Sequence, residues 1–269
     1  IRSVLYLMSN TKTNEEIEIL RENALLVSKT LAEVAKHIEP GVATIKLDKI
    51  AEQFIRDNGA EPGFLGYNGF PNTLCISVNS VVVHGIPSDY ILKEGDIVSI
   101  DCGTRMKGFY GDSAYTFAVG RVSPEAEMLL KVTKESLFKG IEQAIDGNHM
   151  GDISYAIQSH VESFGYSVVR EMVGHAIGRN MHERPDVPNY GRRGSGKKLV
   201  DGMTICIEPM INIGKKEIYM ERDGWTIRTA DHSYSAHYEL TVAIRKGKAD
   251  VLSTFDYVEE VLKQKSTKN

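Results

Sequence analysis

This sequence has few cysteines, no net positive charge and no long apolar run. Each of these shortages excludes a class of protein. Three cysteines in 269 residues are too few, and odd in number, for a disulfide framework, which favours a reducing compartment. No apolar run approaches the roughly 18 residues of a membrane span. The formal net charge of −4 gives no electrostatic reason to expect nucleic acid as the main ligand. We therefore expect a cytoplasmic globular protein with no membrane partner.

Linkers and low-complexity segments are also absent, which predicts a single domain over residues 13–250. Residues 1–12 are interpreted as an N-terminal extension without the pattern of a secretion signal, and residues 251–269 as a polar C-terminal tail. The three cysteines, Cys75, Cys102 and Cys206, lie in apolar β-like runs. Buried, unreactive thiols are the usual occupants of such positions.

The most informative stretch runs from Gly95 to Asp112. Its first part is apolar and β-rich, which is typical of a buried strand, and it ends in a carboxylate, Asp101. A glycine-containing turn follows, and a second carboxylate, Asp112, begins the next β-like run. A hairpin would bring the two carboxylates together in the interior, where they repel and require a shared proton or a cation. The alternative is that both lie at strand ends in water.

A second copy of this pattern occurs later in the chain. Residues 92–101 match residues 199–208 at an offset of 107, and each segment ends in a carboxylate, Asp101 or Glu208. Upstream, a glycine, an apolar helical face and a second glycine recur at an offset of 106, beginning at Gly41 and Gly147. We interpret this as an internal duplication, with half-domains over about 13–121 and 122–250 related by a pseudo-twofold axis. Chance similarity between two α/β segments is the alternative.

Helical patterns flank these strands. Thr13 and Glu16 form a capping-box pattern, and apolar residues then recur at spacings of three and four as far as Pro40–Gly41. Further helices are predicted over about 46–58, from Ser123–Pro124 onward, and over about 152–164.

Five polar side chains in or beside apolar runs form the candidate metal site. They are Asp101, Asp112, His175, Glu208 and Glu239. Carboxylates are seldom fully buried without a partner, and four of them with one imidazole can hold two cations about 3.5–4 Å apart. Such oxygen-rich ligation suits Mn(II), Fe(II), Co(II) or Zn(II). The alternative is a set of scattered, solvated charges.

Two more histidines, His84 and His182, can donate hydrogen bonds to a substrate. A lone histidine after a strand, as at His84, is nevertheless more often structural. His182 precedes Glu183 with no second histidine close behind, so the zinc-binding His-Glu-x-x-His helix is absent.

Taken together, these motifs resemble those of the type I methionine aminopeptidases. The resemblance covers about residues 13–245 and rests on six short segments: residues 83–87, 99–101, 111–113, 174–178 with His182, 207–210 and 235–239. It implies the α+β pita-bread fold, in which two duplicated α/β half-domains surround a central, curved and mainly antiparallel sheet covered by helices.

The resemblance also implies a role for each candidate residue. Asp101 would chelate one metal ion, Asp112 and Glu239 would bridge two, His175 would complete the site, and Glu208 would bind metal and transfer protons. His84 and His182 would contact the scissile peptide, so the implied catalytic residues are His84, His182 and Glu208. The implied lining of the methionine pocket is Tyr67, Phe70, Cys75 and Trp225.

The implied activity is removal of the initiator methionine, by attack of a metal-bridged water or hydroxide on the first peptide bond. The implied cofactors are two divalent metal ions, with cobalt, manganese, iron(II) and zinc all open. The expected partners are the N-termini of nascent polypeptides, including those on the ribosome. The enzyme is expected to be a monomer.

Three positions depart from the family pattern. Met181 stands where an aromatic residue is common, His237 where glutamine is frequent, and Leu240 where histidine is frequent. The short interval from Glu208 to Glu239 argues against the type II form, and no proline-specific or zinc-finger extension is expected before the core. An aminopeptidase or dipeptidase of different specificity, and a metal-free binding protein of the same fold, are the alternative functions.

Overall fold

The computed structural model describes residues 11–267. Its helices are α1 (Asn14–Ala35), α2 (Thr44–Asp57), α3 (Pro124–Ile141), α4 (Met150–Glu162) and α5 (Asp256–Ser266). The strands of the first half are β1 (Glu61–Pro62), β2 (Leu74–Val78), β3 (Val81–Val83), β4 (Ile97–Met106) and β5 (Phe109–Ala118). Those that follow are β6 (Ser167–Val168), β7 (Gly174–Ala176), β8 (Glu183–Val187), β9 (Thr204–Ile207), β10 (Met210–Asn212), β11 (Ile218–Met220), β12 (Ile227–Thr229), β13 (Ser235–His237), β14 (Leu240–Ala243) and β15 (Asp250–Val251).

Helix α1 begins at the predicted capping box. The Thr13 hydroxyl accepts from the Glu16 N–H, and the Glu16 carboxylate accepts from the Thr13 N–H, so two otherwise free donors of the first turn are paired. The helix ends at Ala35, five residues before Pro40. Beyond it the Lys265 ammonium of α5 donates to the carbonyls of Ala35, Lys36 and Ile38. These contacts hold the C-terminal helix against the end of α1.

The predicted hairpin is present. Strands β4 and β5 pair antiparallel along ten residues each, with Asp101 opposite Ala114 and Gly103 opposite Asp112. Residues two apart on a strand share a face, so Asp101 and Asp112 point to the same side, two positions apart. Strand β2 pairs with β4 on its other edge and places Cys75 opposite Asp101.

The second acid-ended strand belongs to a similar sheet. Strand β9 ends at Ile207, directly before Glu208, and pairs antiparallel with β14, where Leu240 lies opposite Ile207. Strand β7, which carries His175, pairs with β9 on its other edge. Pairs between the named strands are antiparallel throughout residues 11–267.

Each half begins with two helices followed by strands, and the two halves meet in the middle. Helices α2 and α4 begin at Thr44 and Met150, which reproduces the 106-residue offset of the sequence. The two sheets join at a backbone bridge between Ala114 and Glu239, whose N···O distances are 3.4 and 2.9 Å. Two carboxylates of the β4–β5 hairpin and two beside the β9–β14 pair therefore converge at this seam.

Burial of apolar residues explains the layering. The large core contains the inner faces of α1 to α5 and the apolar sides of the strands between them, for example Leu31, Ile100 and Ile153. Before α1, Thr11 forms a backbone bridge with Met203, and the Lys12 N–H donates to the Gly202 carbonyl (2.8 Å). Residues 1–10 of the interpreted extension and residues 268–269 of the tail lie outside the described residues. Within residues 11–267, none of the helices combines the length and apolarity needed to cross a membrane.

Candidate metal centre

The five predicted ligands come together at the seam between the two sheets. His175 provides the clearest distances, because its Nε2 lies 3.6 Å from Asp112 Oδ2 and 3.6 Å from Glu208 Oε1. Donor atoms of Asp112, His175 and Glu239 all lie within 4.8 Å of one another. Two ligand atoms that each lie about 2.0–2.2 Å from the same ion are separated from each other by distances similar to these donor–donor distances. Asp101 completes the group, since it lines the same cavity and lies two positions from Asp112 across the β4–β5 pair.

Glu239 takes part in a second cluster. Its carboxylate, that of Glu208 and the imidazole of His237 also place donor atoms within 4.8 Å of one another. A carboxylate shared by two neighbouring clusters is the arrangement that a bridging ligand of a two-metal site requires.

Unpaired polar atoms show that the site fits cations. Asp101 Oδ1, Asp112 Oδ1 and Glu239 Oε1 are buried without a hydrogen-bond partner. Leaving one such group unsatisfied costs about 1–3 kcal/mol, and more when it is charged. Divalent cations would satisfy all three oxygens at once, and oxygen-rich donors suit hard or borderline divalent metals.

Electrostatics leads to the same conclusion. Burial, and after it the neighbouring carboxylates, raise the pKa values of Asp112, Glu208 and Glu239 well above their ordinary range. Burial raises the pKa of Asp101 to about 6, against the opposing effect of His237. Asp112, Glu208 and Glu239 are therefore the acids that tend to retain protons without a counter-charge, and a bound divalent cation would displace those protons.

The histidines are neutral by contrast. Burial, and then the neighbouring His182, lower the pKa of His175 to about 3, so its imidazole is available as a ligand at pH 7. Burial also lowers the pKa of His84 to about 4. A neutral imidazole can donate one hydrogen bond without adding positive charge next to a cation.

A cavity of about 580 Å³ opens onto this cluster. Every residue assigned to the site from the sequence lines it: Asp101, Asp112, His175, Glu208, Glu239, His84, His182, Tyr67, Phe70, Cys75 and Trp225. The cavity has room for a peptide N-terminus beside the carboxylates.

His84 is held in a strained conformation at the cavity wall. Its φ of +59° lies in the left-handed region, which costs a non-glycine residue of order 1–3 kcal/mol and is concentrated at functional sites. The next residue must be glycine, because a Cβ at Gly85 would lie 2.2 Å from the Ile76 carbonyl oxygen. This close approach directs the histidine into the cavity.

Aromatic rings form the apolar side of the cavity. The rings of Phe70 and Trp225 meet edge to face with centroids 5.2 Å apart, and the Cys75 thiol beside them is buried. Across the opening, the Tyr67 hydroxyl lies 2.9 Å from His182 Nδ1, and the His182 ring packs on that of His175 at 4.3 Å.

The three departures from the family pattern have different structural outcomes. Met181 is fully buried, and its methyl group fills the space beside Gly63 and Gly103. Leu240 is buried in the main core. Of the three, only His237 joins the candidate metal ligands, with Nε2 3.6 Å from Glu208 Oε2.

Two members of the clusters were not recognised from the sequence as site residues. Cys206 places its Sγ with Asp112, His175 and Glu239, and His237 joins Glu208 and Glu239. Each lies two positions before an acid, Glu208 or Glu239, and this alternation is the signal that could have identified them. The Cys206 thiol is protonated, because burial raises its pKa well above the ordinary value, and it lies 3.5 Å from the Thr241 hydroxyl.

The paired antiparallel sheets and the buried carboxylate cluster define a metal-dependent hydrolase. Comparison with known proteins makes the assignment specific, since the model of metallopeptidase family M24 matches residues 18–246. A methionine aminopeptidase of Clostridium acetobutylicum is 51% identical over 243 residues, which cover 90% of this chain and 97% of that protein. The chain belongs to metallopeptidase family M24 and, within it, to the methionine aminopeptidases.

Solved structures support the same placement. The crystal structure of methionine aminopeptidase from Rickettsia prowazekii superimposes with a TM-score of 0.90 at 41% identity, covering 91% of this chain and 99% of that one. The prolidase from Pyrococcus furiosus shares the fold with a TM-score of 0.77 at 24% identity, covering 94% of this chain and 68% of that one. The family and the pita-bread fold predicted from the motifs are confirmed.

Proposed function

We propose that this protein removes methionine from the N-terminus of proteins and peptides in a reaction that depends on divalent metal ions. The observation that supports this most strongly is the shared Glu239 at the centre of two buried donor clusters, beside a cavity with an aromatic wall. The family membership agrees with it. Cobalt, manganese, iron(II) and zinc are all compatible with the donor set.

In this proposal Asp101, Asp112, His175, Glu208 and Glu239 hold the metal ions. When bound, these ions supply Lewis acidity and lower the pKa of water towards neutrality. The protein's own side chains would carry out the proton transfer and the hydrogen bonding to the substrate.

Glu208 is the proposed proton carrier. Its side chain is 13% exposed, against 5% for Asp112, so it is the more accessible of the two carboxylates beside His175. It would accept a proton at one carboxylate oxygen and deliver it to the departing amine. His84 and His182 would donate hydrogen bonds to the peptide carbonyl and stabilise the charge that develops on its oxygen.

Specificity is assigned to the wall formed by Tyr67, Phe70, Cys75 and Trp225. Aromatic rings and a thiol suit a thioether, because sulfur–aromatic contacts contribute about 0.3–1.5 kcal/mol each. Such a wall rejects charged first residues, but it separates methionine from an unbranched isostere by only about 1–3 kcal/mol per methylene.

A peptide series tests this proposal. Values of kcat/KM for Xaa-Ala-Ser and Met-Xaa-Ser peptides should show strong preference for methionine first, weak cleavage of norleucine, and almost none of lysine, aspartate or valine. A small second residue should be required. Comparable rates for leucine-, lysine- and methionine-initiated peptides, or preferential cleavage of Xaa-Pro, would contradict it.

Cellular context and organisation are part of the same proposal. The enzyme would act in the cytoplasm on nascent chains, including those on the ribosome, as a monomer whose residues 13–250 form one catalytic domain of two half-domains (13–121 and 122–250). Residues 1–12 would precede that domain, and residues 251–269 would follow it, with α5 packed against α1. Light scattering after gel filtration tests the monomer, and limited proteolysis tests the domain bounds.

A further inference from the structure

His237 is a buried imidazole whose Nε2 has no hydrogen-bond partner. The residue is 1% exposed, and Nε2 is among the buried polar atoms left unpaired. A buried group in this state costs about 1–3 kcal/mol unless something else satisfies it.

The backbone fixes where this imidazole lies. His237 is the last residue of β13 and lies opposite Met210 of β10. Its N–H donates to the Thr116 hydroxyl (2.9 Å), and its carbonyl accepts from the same hydroxyl (2.6 Å). The ring is therefore anchored to strands of both halves of the molecule, close to where their carboxylates converge.

The distances around His237 Nε2 are close to those between two atoms that bind the same metal ion. It lies 3.6 Å from Glu208 Oε2, while His175 Nε2 lies 3.6 Å from Glu208 Oε1. The Glu208 carboxylate thus stands between two imidazoles at equal distances. A separation of 3.6 Å exceeds a hydrogen bond but is close to that of two donors on one ion, because atoms about 2.1 Å from a metal at angles of 90–110° are about 3.0–3.4 Å apart.

We propose that His237 Nε2 is a sixth protein ligand, bound to the metal position formed with Glu208 and Glu239. Each of the two metal positions then has one imidazole, His175 in one and His237 in the other. This inference rests on the proposed function, since it concerns the same metal centre. An added nitrogen donor favours zinc, cobalt and iron over manganese.

The test measures ligation directly. X-ray absorption of protein loaded with two equivalents of Zn(II) should show one imidazole per metal on average, since two histidines serve two ions. His237→Gln should lower that average to one half. Calorimetry should show the affinity of one of the two zinc sites falling by at least about 10–100-fold, with a smaller change for Mn(II). His160→Gln is the matched control, because His160 lies on α4 beside Glu135 and belongs to neither donor cluster.

A second measurement needs no substitution and so does not depend on the variant folding. In the Co(II)-loaded protein, proton NMR should show two exchangeable imidazole N–H signals shifted far outside the normal range. His175 accounts for one of them, since its Nδ1 lies 3.1 Å from the Ala176 carbonyl oxygen and can donate to it while Nε2 binds metal.

The outcomes separate this inference from the proposed function. Two shifted signals, and an imidazole average that falls in His237→Gln, support the sixth ligand. An unchanged average with weaker affinity would show that His237 only orients Glu208, which overturns the inference. A single shifted signal in a protein that binds two metals and cleaves Met-Ala-Ser overturns it as well, whereas failure to bind any divalent metal overturns the proposed function itself.

Discussion

The hydrogen bond between Tyr67 and His182 allows a direct test of how His182, one of the two proposed catalytic histidines, is positioned. The Tyr67 hydroxyl lies 2.9 Å from His182 Nδ1, and burial lowers the pKa of His182, so the ring is neutral at pH 7. When the tyrosine donates to Nδ1, the ring proton lies on Nε2 and can donate to a substrate carbonyl. Tyr67→Phe removes this bond and keeps the aromatic ring that lines the cavity.

The size of the effect follows from the bond's net value. A neutral hydrogen bond contributes about 0.5–1.5 kcal/mol, and about 1.4 kcal/mol corresponds to a tenfold change in rate. We therefore expect kcat/KM on Met-Ala-Ser to fall by about 2- to 13-fold in Tyr67→Phe, with the metal content unchanged. Tyr155→Phe, at a 37% exposed tyrosine of α4, is the control and should have no effect.

A double-mutant cycle decides whether the tyrosine acts through the histidine. In a His182→Ala background, Tyr67→Phe should produce almost no further loss, because the bond no longer exists. An equal loss in both backgrounds would refute the positioning role and leave Tyr67 as a wall of the pocket only. No loss in the wild-type background would refute the hydrogen bond's contribution altogether.

Three further predictions concern the metal centre. Asp101→Asn should remove at least one of the two metal ions and abolish activity, as measured by metal analysis and peptide cleavage; full activity without bound metal would contradict the ligand assignment. His84→Ala should lower kcat by about 10²–10⁴-fold while the metal content stays normal, and loss of metal instead would assign His84 a different role. In metal-free protein, the raised pKa values of Asp112, Glu208 and Glu239 mean that the folded state holds more protons than the unfolded chain. Their contribution to the free energy of unfolding should therefore fall as the pH rises from the ordinary carboxyl range through the raised pKa values. The buried histidines, whose pKa values are lowered, act in the opposite direction below about pH 6.5 and add no slope above it. Urea denaturation at several pH values measures this trend, which bound Zn(II) should abolish, and a stability that rises with pH would count against it.

Much of the site could be predicted because its signals are local in the chain. An apolar run ending in an acid, repeated at Asp101 and Glu208, required only the period-two pattern of strands. The capping box at Thr13 was equally local, and α1 begins there. The hairpin that brings Asp101 and Asp112 to one face followed from two β-like runs separated by a short glycine turn.

Other features were decided only when distant strands came into register. The bond from Tyr67 to His182 joins residues 115 positions apart, and His237 reaches Glu208 only because β13 is anchored to Thr116 of the first half. From the sequence alone, His237 was expected to alter only the detail of the pocket, and Cys206 was expected to be a buried, unreactive thiol. Local periodicity determines which face a side chain occupies, but contact between elements depends on how the two sheets pack, and that depends on the whole buried core.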